Sequence, residues 1–147
     1  MTDVRRLDQV QLEAVLDLDS ACFPGDPFAA GWWQKAVTGD GASSWVIHQQ
    51  SVVAYCLFSE VLDQAELLRI AVHPSQRGKG LASVLLQHAQ AELSQRGIAE
   101  LYLEVRASNH AAQALYRHCG WEPCGRRRNY YPLGDVREDA LLFSRQS

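Results

Sequence analysis

The chain has 147 residues, 47% of them hydrophobic and 21% charged, with a net charge of −3. That is the size and balance of one ordinary soluble domain. It gives no global basic field to draw in nucleic acid or an anionic membrane, so neither is expected as a direct partner. The first twenty residues mix charges and hold no apolar signal region, and the longest strongly apolar run, Val52 to Phe58, is far too short to span a bilayer. A cytosolic, undivided domain over residues 1–147 is the expectation. Of Cys22, Cys56, Cys119 and Cys124, the last two lack the close pairing and histidine partners of a zinc site, and a core of this size needs no disulfide staples. Free, mostly buried thiols and no bound metal follow.

Asp8 to Cys22 carries Val10, Leu12, Val15, Leu16 and Leu18 among acids, which predicts a first amphipathic helix. Pro24 and Pro27 must interrupt it, and a second short helix is predicted around Gly31 to Val37, before a Gly-rich turn. Trp45 to His48 and Val52 to Phe58 then read as a hairpin across a polar connection. Glu66 to Val72 is a further apolar strand ending at His73-Pro74. From Leu81, apolar residues recur at Val84, Leu85, Ala89 and Leu93 with helical period, and Arg96-Gly97 marks the stop. Leu101, Leu103 and Val105 alternate with Tyr102, Glu104 and Arg106, a strand with two unlike faces. Ser108 or Asn109 caps a helix from His110 to His118, which Gly120 ends. Two last strands, Glu122 to Arg128 and Glu138 to Ser144, are joined through Tyr130-Tyr131-Pro132 and a Gly134-Asp135 turn. This order predicts an α/β or α+β sandwich, a mixed sheet with helices on both faces.

The most informative stretch is LLRIAVHPSQRGKGLASVLLQHA, in which a strand, a basic Gly-rich loop and a helix N-terminus follow without a gap. The first amides of a helix have no intrahelical acceptors, and its dipole adds roughly half a positive charge there. Gly78 and Gly80 let backbone approach phosphate oxygens, while Arg77 and Lys79 add charge. The spacing is neither Walker A nor the dinucleotide fingerprint. A plain turn before a helix explains a lone Gly-x-Gly equally well.

Arg77, Gly80 and Ala82 nevertheless fit, in order, the diphosphate signature of the GNAT acetyltransferases, to which the chain shows a resemblance. LEVRASNHAAQALYRHCGW resembles that superfamily's next block, and RRNYYP followed by REDALLF is similar to its protein N-terminal branch, the ribosomal-protein-alanine acetyltransferases. The resemblance is dense from about Asp63 to Phe143 and thin before Glu60. It implies the GNAT fold, with a mostly antiparallel central sheet, and acetyl-coenzyme A as cosubstrate. It also implies a protein N-terminus as acceptor, that of an alanine-starting small-subunit ribosomal protein. By the same resemblance, Ile70, Ala71 and Val72 would pair with the pantetheine arm. Gly78, Lys79, Gly80, Leu81, Ala82 and Ser83 would supply diphosphate amides, and Asn109 would contact the cofactor. Where that branch often carries Pro-Trp-Ser entering its second helix, this chain has Pro27-Phe28-Ala29, which leaves the acceptor open.

Acetyl transfer needs a neutral amine. An α-amine with pKa near 7.8 is roughly 400 times easier to find neutral than a lysine near 10.4. The resemblance assigns Glu104 as general base, with burial raising its pKa. The plain alternative is a surface carboxylate paired with Arg106. It assigns Tyr116 as general acid, against an ordinary core tyrosine. A phenol near 10 is a weaker acid than a thiol near 8.5, so a hydrogen bond to the departing sulfur is an alternative to full transfer. Tyr130 and Tyr131 are candidates for the acceptor groove or for packing. Arg126, Arg127 and Arg128 suit a solvated edge as well as a contact to cofactor phosphate or an acidic substrate. His73 reads as structural, and Trp32, Trp33, Trp45 and Trp121 as core or rim anchors. Two other functions remain: acetylation of a small amine or lysine, and a non-catalytic coenzyme A-binding module.

Overall fold

The computed structural model describes residues 2–146. Four α-helices, α1 (Leu12–Cys22), α2 (Ala30–Thr38), α3 (Leu81–Gln95) and α4 (His110–His118), pack on a seven-stranded sheet. The strands are β1 (Val4–Arg6), β2 (Ala42–His48), β3 (Val52–Val61), β4 (Gln64–Val72), β5 (Glu100–Arg106), β6 (Glu122–Leu133) and β7 (Val136–Gln146). Their order is β1-β2-β3-β4-β5-β7-β6, and every pairing is antiparallel except β4 with β5. The expected mixed sheet with helices on both faces is therefore present.

Each face has its own core. Leu81, Leu85, Leu86, Ala89 and Leu93 of α3, with Tyr116 of α4, bury against Trp45, Phe58, Leu101, Leu103 and Phe143. On the other face Leu12, Val15 and Leu18 of α1 and Trp33 and Ala36 of α2 cover Val46, Tyr55 and Leu57. Trp45 and Phe58 meet edge to face, as do Trp33 and Tyr55, the arrangement ring quadrupoles favour. Three of the four tryptophans are fully buried, while Trp32 stays at the rim under Lys35. The cysteines are free, but only Cys56 and Cys119 are buried; Cys22 is half-buried and Cys124 exposed.

Several element boundaries differ from expectation. The Asp8 carboxylate accepts from Gln11 N at 3.1 Å and caps a short 3-10 turn, so α1 itself starts only at Leu12. The strand β1 carried no apolar signal; it exists because Val4 to Arg6 pair with Trp45 to Ile47. The last two strands run up to their turn, so Tyr130, Tyr131 and Pro132 lie inside β6 rather than in a connection. A bulge between Arg127 and Tyr131 absorbs two extra residues there, with Asn129 at φ 50° and its amide donated to Asp139 Oδ1 at 2.9 Å.

Two irregularities in β4 position the site. Its register against β3 slips between Leu67 and Arg69, which leaves Leu68 bulged. Ala65 and Leu67 face α3 before the slip, and Ile70 and Val72 face it after, so the alternation changes phase. Arg69 and Ala71 accordingly turn toward α1. The parallel pairing with β5 ends at the same place, its last pair being Glu66 with Tyr102. Beyond it the two strands diverge, and a cleft opens in the middle of the sheet.

Candidate active site

The cleft has a volume of about 550 Å³ and lies between the end of β4, the N-terminus of α3 and one side of α4. Ile70, Ala71, Val72, Arg77, Gly78, Gly80, Leu81, Ala82, Ser83, Asn109 and Tyr116 line it, and Cys22 and Phe23 reach it from the end of α1. Of the cofactor residues expected from the sequence, only Lys79 stands outside; its ammonium donates to Gln76 Oε1 at 3.0 Å.

The α3 end is a preformed anion cradle. Gly80 sits at the helix N-cap with φ 76°, and no side chain caps the helix. The first intrahelical bond comes from Val84 N to Gly80 O, so the amides of Leu81, Ala82 and Ser83 have no helical acceptor. Gly78 has φ 80°, and a Cβ at either glycine would meet nothing within 4 Å, so both borders are open to a ligand. Orphaned amides, a helix dipole and open backbone are what a diphosphate requires, and the residues present fit one.

At the β4 end, His73 N donates to Val53 O at 2.7 Å. Because strand amides alternate in direction, Val72 N–H then points away from β3, into the gap left by β5. The Val72 carbonyl points the same way and accepts from Arg77 Nε at 3.0 Å. Arg77 was expected to offer charge to the diphosphate; here part of its guanidinium is already committed to the strand edge. His73 is structural, its ring accepting from Ser75 N at 3.1 Å.

On α4, Asn109 rather than Ser108 is the cap, accepting from Ala112 N at 3.1 Å while also lining the cleft. Two turns on, Tyr116 packs its ring between Trp121 and Phe143, and burial pushes its phenol up to about 12, with Tyr131 and Cys119 contributing. Its hydroxyl has no hydrogen-bond partner among the described residues.

Glu104 lies on the opposite face of the sheet, since its neighbours Leu103 and Val105 both belong to the α3-side core. Its side chain is only partly buried and is ion-paired to Arg127 Nε at 3.0 Å. Arg106, the partner considered from sequence, instead pairs with Glu138 at 3.0 Å. Tyr131 is half-buried under the Arg106 guanidinium, and its phenol is raised by burial and then by the Glu104 charge. Tyr131 in turn helps to raise the Tyr116 phenol. Tyr130 is more exposed, edge-on to Tyr131 with ring centroids 5.0 Å apart.

Sequence reasoning missed Glu66. At the last β4–β5 pair it shares a face with Tyr102 and Glu104, and its carboxyl is raised by burial and by the Glu104 charge. No local pattern marks it, because the juxtaposition depends on a parallel pairing between distant segments.

Residues 12–121 match the model of the acetyltransferase (GNAT) family, which is most of the chain. This chain belongs to that family. It is 36% identical over 148 aligned positions to the [ribosomal protein bS18]-alanine N-acetyltransferase of Escherichia coli K12, an alignment covering 98% of this chain and 97% of that one. The enzyme of the same name from Salmonella typhimurium is 45% identical over 77% of this chain and 79% of its own. The crystal structure of the E. coli enzyme superposes with a TM-score of 0.85, covering 98% of this chain and 92% of that one. The expected fold and enzyme class are borne out. Among the described residues no helix is long and apolar enough to cross a membrane.

Proposed function

We propose that this protein acetylates the α-amine of a protein N-terminus, that of an alanine-starting ribosomal protein such as the bS18 on which its relatives act, using acetyl-coenzyme A in the cytoplasm. The observation that carries the reading is the cleft itself. An anion cradle and Tyr116 lie on the α3 side of the sheet, Glu104 on the other, and the parting of β4 from β5 connects them.

Acetyl-coenzyme A supplies the activated acetyl thioester. The amides of Gly78, Gly80, Leu81, Ala82 and Ser83 hold its diphosphate, with Lys79 as a nearby cation and Asn109 on the opposite wall. The free edge of Ile70, Ala71 and Val72 receives the pantetheine arm as an added strand. Val72 N–H is the donor for the carbonyl oxygen as it gains charge. Glu104 takes the proton that the acceptor ammonium must lose, and Tyr130 and Tyr131 line its approach. With its phenol near 12, Tyr116 stays protonated at every physiological pH. Transfer of that proton to a thiolate of pKa near 8.5 is uphill by roughly 5 kcal/mol, so Tyr116 acts by hydrogen-bonding the departing sulfur.

Thiol release should be followed with peptides that differ only in residue one, beside a peptide whose sole amine is a lysine side chain. The reading expects turnover on the Ala-first peptide and little on the lysine control. Equal rates on both would replace it with a lysine or small-amine acetyltransferase. No thiol release with any acceptor, despite acetyl-coenzyme A binding, would leave a coenzyme A-binding module.

A further inference from the structure

The loop between α1 and α2, residues 23–29, forms part of the cleft wall, yet little inside it fixes its shape. It contains two prolines, Gly25 at φ 79°, and one internal backbone bond, Asp26 N to Phe23 O at 3.0 Å. Its conformation is imposed from β4. Arg69 Nη1 donates to Asp19 Oδ1 and to the Asp26 carbonyl, each at 3.0 Å, and Nη2 pairs with Asp26 Oδ2 at 3.3 Å. The guanidinium also lies 3.8 Å from the centre of the Phe23 ring and 5.0 Å from that of Phe28. Asp19, itself 2% exposed, accepts in addition from the Tyr55 hydroxyl and from Phe28 N at 2.7 Å.

We propose that Arg69 is a positioning residue for acceptor selectivity, holding Phe23 rigid as the wall against which the acceptor's first side chain is measured. The inference rests on the acetyltransferase reading above. Stability alone does not account for the arrangement, because apolar replacements of a buried ion pair are often neutral or stabilising. What the pair adds is geometry. One planar group ties Asp19 of α1 to Asp26 within the loop and faces two of the loop's rings, and it does so from the residue next to Ile70, at the cleft edge. Discrimination by side-chain size needs a wall that does not yield, since one methylene changes rates only about 10- to 200-fold even in a good pocket.

The test compares two peptides differing only in Ala or Leu at residue one, with the wild-type protein, Arg69→Lys and Arg69→Gln. Lysine keeps a charge opposite Asp19 but loses the planar stack and the fork, so it carries the test should Arg69→Gln fail to fold. For Arg69→Lys the expected result is an acceptor KM raised about tenfold and an Ala-over-Leu preference in kcat/KM reduced about fivefold. The acetyl-coenzyme A Kd should stay within about twofold, because the anion cradle is untouched. A lowered Tm with KM and preference both unchanged makes Arg69 merely structural and overturns the inference alone. No turnover of either peptide by the wild-type protein overturns the acceptor reading, and this inference with it.

Discussion

The Glu104 carboxylate is held by Arg127 Nε at 3.0 Å, so the candidate base is steadied from β6 rather than from its own strand. That contact orients one oxygen and leaves the other for an acceptor. Glu104→Gln keeps the shape but cannot take a proton. Turnover should fall about 10²- to 10⁴-fold, with acetyl-coenzyme A affinity nearly unchanged. The loss should shrink as pH rises and solution deprotonates the amine. A loss below about threefold at neutral pH would show that the base lies elsewhere.

The anion cradle depends on backbone that only glycine adopts freely. At Gly80, φ is 76° and the space a Cβ would enter is open until a ligand fills it. Gly80→Val therefore acts twice, by straining the N-cap and by obstructing the diphosphate. Cofactor affinity should fall at least tenfold, about 1.4 kcal/mol. Calorimetry on a folded variant checks it, and unchanged affinity would remove the loop from the cofactor site.

Much of this site was legible because its parts are local. The Gly-rich loop, the α3 N-terminus and the Asn109 cap each lie within a few consecutive residues, and the two-faced pattern of β5 placed Glu104 opposite Leu103 and Val105. The opening itself was not legible. It arises from a bulge at Leu68 and from a parallel pairing that stops at Glu66 and Tyr102, both properties of strands brought together from far apart. The same holds for Arg127 as partner of Glu104, for Glu66 beside it, and for Arg69 with Asp19, fifty residues apart in the chain. The strand β1 was missed for a simpler reason: its residues Val4, Arg5 and Arg6 carry only a single apolar side chain.

The cysteines should label in an order set by thiolate fraction and access. Burial pushes the Cys56 thiol up to about 12, and the Cys119 thiol is also raised by burial. Raised thiols hold less thiolate at any given pH and react more slowly. With a charge-neutral alkylating agent at pH 8, Cys124 should react first, then half-buried Cys22, with Cys119 and Cys56 protected until unfolding. Peptide mapping by mass spectrometry reads the order. Early labelling of Cys56 would contradict the packing of the α3-side core.

Tyr116→Phe removes one hydroxyl and keeps the ring between Trp121 and Phe143. If that hydroxyl hydrogen-bonds the departing sulfur, kcat falls while acetyl-coenzyme A affinity hardly changes. A donor whose thiol has a lower pKa needs less help, so it should recover part of the lost rate. An equal defect with both donors, where chemistry limits turnover, would rule out contact with the leaving group. The same variant carries a stability signature. The folded phenol sits near 12 and the free one near 10, so above pH 10 the unfolded chain releases a proton that the folded chain keeps. The stabilisation from keeping Tyr116 neutral is complete below pH 10 and is lost as pH rises toward 12, roughly 2 to 3 kcal/mol over that interval. Tyr116→Phe has no proton to release, so denaturant unfolding should show it losing less stability than the wild-type protein between pH 10 and 12. Identical alkaline slopes would mean that the phenol is not held neutral by the fold. Its role as a persistent hydrogen-bond donor would then lose its physical basis.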